Sequence, residues 1–108
     1  MKFKRGVEPK YLSAPAWYGL HLADEVHKSM ANQDAVCTST GDSKHTVERS
    51  RHYTGEYGYG FCHAWDLRVW HVDQQEYAKR LRRRLGKDYV VVVESDHIHC
   101  HFAPTFTS

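Results

Sequence analysis

Three histidines near the end of the sequence, His97, His99 and His101, are spaced two residues apart. Residues two apart project from the same face of a β-strand, so a strand here would present a row of three imidazoles. Imidazole groups bind metals and transfer protons near neutral pH. One metal seldom takes three ligands in a line, so other parts of the chain would have to complete a metal site. Asp96 lies three residues before His99, close enough to reach a water on a metal held there.

A second group of reactive side chains lies upstream, in segments 50–55 (Ser-Arg-His-Tyr-Thr-Gly) and 64–68 (Ala-Trp-Asp-Leu-Arg). A catalytic zinc takes about three nitrogen, oxygen or sulfur ligands from the protein and leaves one position for water. The two segments supply one histidine, His52, and one carboxylate, Asp66, ahead of the histidine row. An aspartate with two histidines suits zinc, although other divalent ions accept the same donors.

These motifs resemble the signature of the zinc-dependent peptidoglycan peptidases of the D-Ala-D-Ala carboxypeptidase type. That family includes VanX- and VanY-like enzymes and phage endolysin peptidases, with lysostaphin and the Hedgehog amino-terminal domain as distant members. Its signature reads Ser-x-His-x-x-Gly-x-Ala-x-Asp, followed much later by an acidic residue, two further residues and a histidine. The matching residues are Ser50, His52, Gly55, Ala64 and Asp66, then the closing stretch 94–99, and the resemblance covers roughly residues 36–103.

The resemblance implies a Hedgehog/DD-peptidase-like fold with one zinc ion and a defined set of site residues. Zinc lowers the pKa of a bound water, and a nearby carboxylate takes the proton and passes it to the leaving amine. The expected metal ligands are His52, Asp66 and His99; the expected catalytic residues are Asp96, as general base, and His97, as a supporting group; the expected substrate-binding residues are Ser50, His45 and Arg51.

One departure from the family pattern concerns the spacing of the first two ligands. Thirteen residues separate His52 from Asp66, whereas the signature has six, which leaves seven extra residues at about 56–62 (EYGYGFC). An added loop whose ends return close together costs little entropy. If the insertion displaces His52, the alternative histidine is His63. On a strand His63 and Asp66 would face opposite sides, so the pattern favours His52.

The elements that must position these residues follow from periodicity and cap residues. Residues 1–12 lack a period and are expected to form an extended arm. A helix is predicted from Ser13 to Asn32, with Tyr18, Leu22, Val26 and Met30 as its apolar stripe. A second helix is predicted over 73–85, closed by a left-handed cap at Gly86. Strands are predicted at 35–38, at 64–70, at 89–93 as a buried strand, and at 97–102, with the last two forming a hairpin.

The order of these elements predicts a single-domain α+β fold over residues 1–108, with two helices and a small, mainly antiparallel sheet. The long segment 39–62 is predicted to be a loop, and loops of this length are usually functional or mobile. Cys100 alternates away from the histidines and is expected in the core. Trp65 and Trp70 are expected to pack inside, and His101 is expected to support the site or the structure.

Composition agrees with one folded domain: 108 residues, 41% hydrophobic and 26% charged, with a formal net charge of +2. The three cysteines exclude a complete disulfide framework and favour folding in a reducing compartment. The sequence lacks an apolar run long enough to cross a bilayer, and it does not begin like a signal peptide. We therefore expect synthesis in the cytoplasm, followed by action on the cell wall after release, or carriage on a virion.

The leading hypothesis is a zinc metallopeptidase that hydrolyses a peptide bond in the stem or cross-link peptide of bacterial peptidoglycan. The motifs do not distinguish a carboxypeptidase from an endopeptidase. We expect a monomer that binds peptidoglycan peptide and neither nucleic acid nor membrane. The alternative is a non-catalytic zinc-binding domain of the same fold that binds the wall or has a structural role. A basic run at 79–84 leaves nucleic-acid binding as a distant third hypothesis.

Overall fold

The computed structural model describes residues 1–7, 9, 12–40 and 62–104. The described chain is α+β, with two helices and a five-stranded, mainly antiparallel sheet, as the sequence predicts. Its elements are β1 (Lys2–Phe3), α1 (Ala14–Ala31), β2 (Val36–Ser39), β3 (Ala64–Arg68), α2 (Gln74–Leu85), β4 (Tyr89–Val93) and β5 (His97–Phe102).

The strands lie in the order β1-β2-β3-β5-β4. The predicted hairpin of β4 and β5 is confirmed, and β5 also pairs antiparallel with β3. β1 pairs parallel with β2, so the first residues belong to the sheet and are not simply an extended arm. Two backbone bonds hold them there, from Lys2 N to Ala35 O at 2.8 Å and from Lys4 N to Cys37 O at 2.9 Å.

The first helix begins and ends where its cap residues predict. Ser13 Oγ accepts a hydrogen bond from Ala16 N, and Pro15 lies in the first turn. Asn32 ends the helix in the left-handed conformation, with φ 52° and ψ 35°. The predicted apolar stripe is wrong at Tyr18, whose exposed fraction is 58%. A row of residues four apart drifts about 40° around a helix at each step, so Tyr18 and Met30 cannot share one buried face.

The packing of α1 against the sheet depends on a close approach at Gly19. A Cβ atom at this position would lie 2.8 Å from Cζ2 of Trp65 and closer still to Cη2. Real Cβ atoms do not approach so closely, so glycine allows the helix to rest directly on the indole ring. Trp65 is fully buried, as predicted. Among the residues that the structure describes, its Nε1 has no hydrogen-bond partner, and the ring is held by its close packing.

The second helix also matches its prediction closely. Asp73 Oδ1 accepts a hydrogen bond from Glu76 N at 2.8 Å and caps the first turn. Gly86 follows the last turn with φ 84° and ψ −169°, so its φ is positive, as expected, but it is not the left-handed cap predicted. The buried residues of this helix are Tyr77, Ala78, Leu81 and Leu85.

The fourth strand corrects one expectation from the sequence. The sequence predicts a buried strand here, but among the described strands β4 is an outer one and pairs with β5 alone. Val91 points into the core, while Val90 and Val92 are 38% and 37% exposed. A run of valines looks the same in an edge strand and in a central one, because β-propensity does not report which neighbours a strand has. Within the described ranges, neither helix is long and apolar enough to cross a membrane.

Candidate metal centre on the polar face of the sheet

The two faces of the central strands differ in chemistry because their residues alternate. On one face, residues of β3 and β5 enter the core under the helices, among them Trp65, Leu67, Ile98 and Cys100. The opposite face, called the polar face here, carries titratable side chains. Its members in β3 and β5 are Asp66, Arg68, His97, His99 and His101, flanked by Lys2 and Lys4 at the β1 edge.

Asp66 and His99 lie directly opposite each other on neighbouring strands. Directly opposed residues have Cβ atoms only about 4.5–5.5 Å apart, so their side chains meet. His99 Nδ1 lies 3.0 Å from Asp66 Oδ1. Both side chains are less than one-fifth exposed. Strand pairing thus brings together two predicted metal ligands that are 33 residues apart in the sequence.

The second nitrogen of His99 contacts the next histidine of the row. His99 Nε2 lies 2.9 Å from His101 Nδ1, and the two ring centroids are 5.0 Å apart. His101 pairs across the sheet with Ala64. This contact orients the His99 ring, since a histidine with one nitrogen hydrogen-bonded has its tautomer and rotation fixed.

The remaining predicted catalytic residues lie at the start of β5. His97 Nδ1 is 2.7 Å from Asp96 Oδ1, and His97 Nε2 is 3.8 Å from Asp66 Oδ2. The imidazole therefore lies between the two carboxylates. The Asp96 side chain is 84% exposed. Its hydrogen bond with His97, together with the charge of that ring, holds the pKa of the Asp96 carboxyl below its usual range. Asp96 is therefore ionised at neutral pH.

A cavity of about 300 Å³, called the site cavity, opens over this group. Polar side chains form most of its wall, and Lys4 contributes a cation from the β1 edge. Its other lining residues include Thr38, Ser39, Asp66, Arg68, Asp96 and His97. The predicted base and one predicted ligand thus face the same space, which is large enough for a small segment of a ligand.

Asp66 and His99 offer a carboxylate oxygen and an imidazole nitrogen, two donor types that zinc accepts. Two ligands about 2.0–2.2 Å from a tetrahedral zinc lie about 3.3–3.6 Å from each other, farther apart than the hydrogen-bond distance of 3.0 Å between His99 Nδ1 and Asp66 Oδ1. A hydrogen bond from the second ring nitrogen is usual for metal-bound histidines, and His99 Nε2 contacts His101. Within residues 1–7, 9, 12–40 and 62–104, no group of three or more His, Cys, Asp or Glu forms a metal site. The described part therefore offers two donors of suitable type, which would have to move slightly apart to hold zinc, and not a full set.

Several predicted site residues lie outside the described residues. These are the ligand His52, the substrate-binding residues His45, Ser50 and Arg51, and most of the insertion at 56–62. The alternative ligand, His63, is described, and its Nδ1 lies 2.9 Å from Ser13 Oγ at the start of α1.

Sequence reasoning missed one feature of the site, the pair formed by Arg68 and Trp70. Trp70 was expected to pack inside, but it is 70% exposed. The guanidinium carbon of Arg68 lies 3.7 Å from the centroid of the indole ring, which is a cation–π contact. A signal existed for Arg68, because it follows Asp66 by two residues on the same strand and so shares its face. No comparable signal marked Trp70, which lies beyond the end of the strand.

Comparison of the chain with models of known protein families, with curated proteins and with solved structures finds no match. The fold class and the arrangement of the polar face are therefore described from the sequence and structure of this chain alone.

Proposed function

We propose that the chain is a zinc-dependent peptidase of the Hedgehog/DD-peptidase-like fold that hydrolyses a peptide bond in bacterial peptidoglycan. The pairing of Asp66 with His99 across β3 and β5 is the observation that carries this proposal. It supports the proposal because the two donors are of types that zinc accepts, and because Asp66, Asp96 and His97 line one cavity.

In this proposal three residues would hold the zinc: Asp66 through Oδ1, His99 through Nδ1, and His52. Zinc, when bound, supplies a Lewis acid that polarises a carbonyl and lowers the pKa of water. His101 keeps the His99 ring oriented, so that Nδ1 faces Asp66. Two histidines and one carboxylate would be the kind of three-residue ligand set that catalytic zinc sites use.

Asp96 is the proposed general base. It is ionised at neutral pH, and its exposure leaves one carboxylate oxygen accessible to a proton in the site cavity. His97 holds Oδ1 of this carboxylate at 2.7 Å and so fixes the direction in which it points. The proton that Asp96 takes from water then passes to the amine leaving group, which needs a proton in order to depart.

The proposed ligand is peptidoglycan peptide, bound by a monomer. The site cavity can supply hydrogen bonds from Thr38 and Ser39 and positive charge from Lys4 and Arg68. These groups suit a peptide, whose carbonyl oxygens and carboxylates accept hydrogen bonds. In this proposal the protein is made in the cytoplasm and reaches the wall after release, or is carried on a virion.

The proposal is tested first by metal content. The full chain is purified and its zinc is measured beside that of His52→Ala, His63→Ala and Asp66→Asn, with His21→Ala as the matched control. His21 is an exposed residue of α1 that contacts Glu25 and lies away from the polar face. We expect one zinc per chain in the wild type and in His63→Ala, and its loss from His52→Ala and Asp66→Asn. Absence of bound zinc from every preparation would contradict the proposal.

The second test is catalytic. Zinc-loaded protein is incubated with purified cell walls, and newly released amino groups are measured with and without a chelator. We expect zinc-dependent release that is lost in Asp96→Asn while that variant keeps its zinc. One bound zinc without any release would contradict the peptidase and support the alternative, a zinc-binding domain with a wall-binding or structural role.

A further inference from the structure

The stack of Arg68 on Trp70 stands between two cavities. On one side is the site cavity, and on the other is a larger cavity of about 450 Å³, called the outer cavity. Arg68 and Trp70 line both. A ligand group in the site cavity would therefore have a second space next to it, across a wall made of one indole ring and one guanidinium group.

The outer cavity is rich in polar groups. Besides Arg68 and Trp70, its lining includes Lys2 from β1, Val36 from β2, and Asn32 and Gln33 from the turn after α1. The amide groups, the guanidinium and the ammonium offer hydrogen bonds to a ligand that carries many oxygen atoms.

The charged side chains that line the outer cavity differ in whether they form ion pairs. Asp34, which also lines it, lies 3.4 Å from Lys28 Nζ and 3.6 Å from the amino group of Met1. Lys2 and Arg68 have no carboxylate partner among the described residues. Their N–H groups remain available as donors, and Arg68 is held in place by its stack on the indole.

An exposed aromatic ring beside planar polar side chains is the arrangement that binds a sugar. The flat C–H face of a pyranose can lie on the indole, while the guanidinium group donates to its hydroxyl and acetamido oxygens and the amide groups both donate and accept. Trp70 presents such a ring, since it is 70% exposed although the Arg68 guanidinium covers one face. A volume of about 450 Å³ lies within the range of small-ligand sites.

We propose that the outer cavity is a saccharide subsite, which holds the glycan part of a glycopeptide while the attached peptide enters the site cavity. This inference rests on the proposed function and names its substrate class, a peptide still linked to an amino sugar. A free peptide would fill only one of the two cavities, so the enzyme prefers glycan-linked peptide to the same peptide alone.

The test compares two ligands that share one peptide: the disaccharide-linked stem peptide and the free stem peptide. Binding is measured by titration calorimetry on the zinc-loaded full chain carrying Asp96→Asn, so that neither ligand is consumed. We expect the glycopeptide to bind about tenfold more tightly, a difference of about 1.4 kcal/mol. Trp70→Ala should reduce this ratio to within about twofold, because aromatic residues are enriched among the few side chains that dominate binding. Binding of the free peptide is measured in the same variant, because Trp70 also lines the site cavity.

The matched control is Trp17→Ala. Trp17 is also partly exposed, but it lies on α1 and packs edge-on against Phe3, outside the outer cavity. Its replacement should leave the ratio at about tenfold. Thermal unfolding checks that both variants fold, and Trp70→Phe, which keeps a ring, should retain part of the ratio.

Other outcomes overturn the subsite or separate it from the proposed function. Equal binding of both ligands to the Asp96→Asn chain with Trp70 intact would overturn the subsite. If the wild-type protein still hydrolyses cell walls in a zinc-dependent reaction, the proposed peptidase function would be unaffected. Absence of hydrolysis would contradict the proposed peptidase function. The ratio of the two affinities, for glycopeptide and for free peptide, would still test the saccharide subsite. Binding of a single-stranded oligonucleotide that Trp70→Ala abolishes, without binding of the glycopeptide, would also overturn the saccharide assignment.

Discussion

The two faces of strands β3 and β5 are built from alternate residues of the same ten or so positions, yet they have opposite character. The face under the helices is closely packed, with Trp65, Leu67, Ile98 and Cys100 completely buried. The polar face keeps Asp66 and the histidines partly exposed and in contact with one another. The first face stabilises the sheet by burial, and the second uses the rigid strands to hold chemical groups in register. Substitutions on the polar face should therefore lower zinc affinity, and substitutions on the helix-covered face should lower the free energy of unfolding.

The largest effect is expected at Asp66. Asp66→Asn keeps the shape of the side chain but removes its charge, and an amide is a much weaker zinc ligand. We expect zinc affinity to fall by more than the roughly 10- to 100-fold typical of outer partners of a metal site. The unfolding midpoint of the metal-free protein should change little. A competition titration with a chromogenic chelator measures the affinity, and unchanged binding would remove Asp66 from the ligand set.

A smaller effect on the same face is expected at His101. Its Nδ1 contacts His99 Nε2, so His101→Ala removes one of the two contacts that hold the His99 ring, the other being with Asp66. We expect zinc affinity to fall by about 10- to 100-fold, with one site still present at high zinc. The same chelator titration measures this change. An unaltered affinity would show that His101 has only a structural role.

On the helix-covered face, Gly19→Ala should affect stability and not zinc. The added methyl group overlaps the ring of Trp65, and the resulting strain of about 1–3 kcal/mol opposes a helix-propensity gain of about 1 kcal/mol. We expect net destabilisation of up to about 2 kcal/mol by denaturant unfolding, with zinc per folded chain unchanged. In the Trp65→Phe background the cost of Gly19→Ala should be smaller, because the overlapping ring atoms are absent. If the costs of Gly19→Ala and Trp65→Phe simply add, the contact between residue 19 and the indole ring is not the cause of the destabilisation.

An effect of similar size, which depends on pH, is expected at Asp24, a buried carboxylate of α1. Burial raises its pKa, but hydrogen bonds from the Met1 amino group, the Ala35 N–H and Lys28 outweigh this and leave the pKa below 3.8. The folded-state pKa is depressed, so the stabilisation is present above about pH 4 and is lost as the pH falls through the folded-state pKa. Asp24→Asn should cost about 1–2 kcal/mol at pH 7. Urea unfolding at pH 7 and pH 3 should show the gap between wild type and variant narrowing at pH 3; a constant gap would contradict this.

Local features of the fold could be predicted from the sequence because they depend on neighbouring residues. Ser13, Asn32 and Asp73 mark the helix ends through their own side-chain and backbone chemistry. The shared face of the three histidines follows from the two-residue repeat of a strand. Family resemblance added the expectation that Asp66 and His99 belong together, and strand pairing places them 3.0 Å apart.

Features that depend on distant strands could not be predicted in the same way. The parallel pairing of β1 with β2 leaves no periodic signal, because only two residues of β1 take part. The exposure of Val90 and Val92 follows from the position of β4 at the sheet edge, which the strand's own residues do not encode. Trp70 lies outside the regular elements, where a hydrophobic residue alone does not indicate burial.

The position of β5 between β3 and β4 has a consequence for the newly made chain. The strand that comes last in the described sequence is an inner strand of the sheet, so β3 and β4 cannot be joined until His97–Phe102 has left the ribosome. Contacts between distant segments form slowly because a long loop must close first. Asp66 can therefore meet His99 only after nearly all of the described chain has been synthesised. A ribosome-bound chain that ends before β5 would carry the aspartate without its histidine partner.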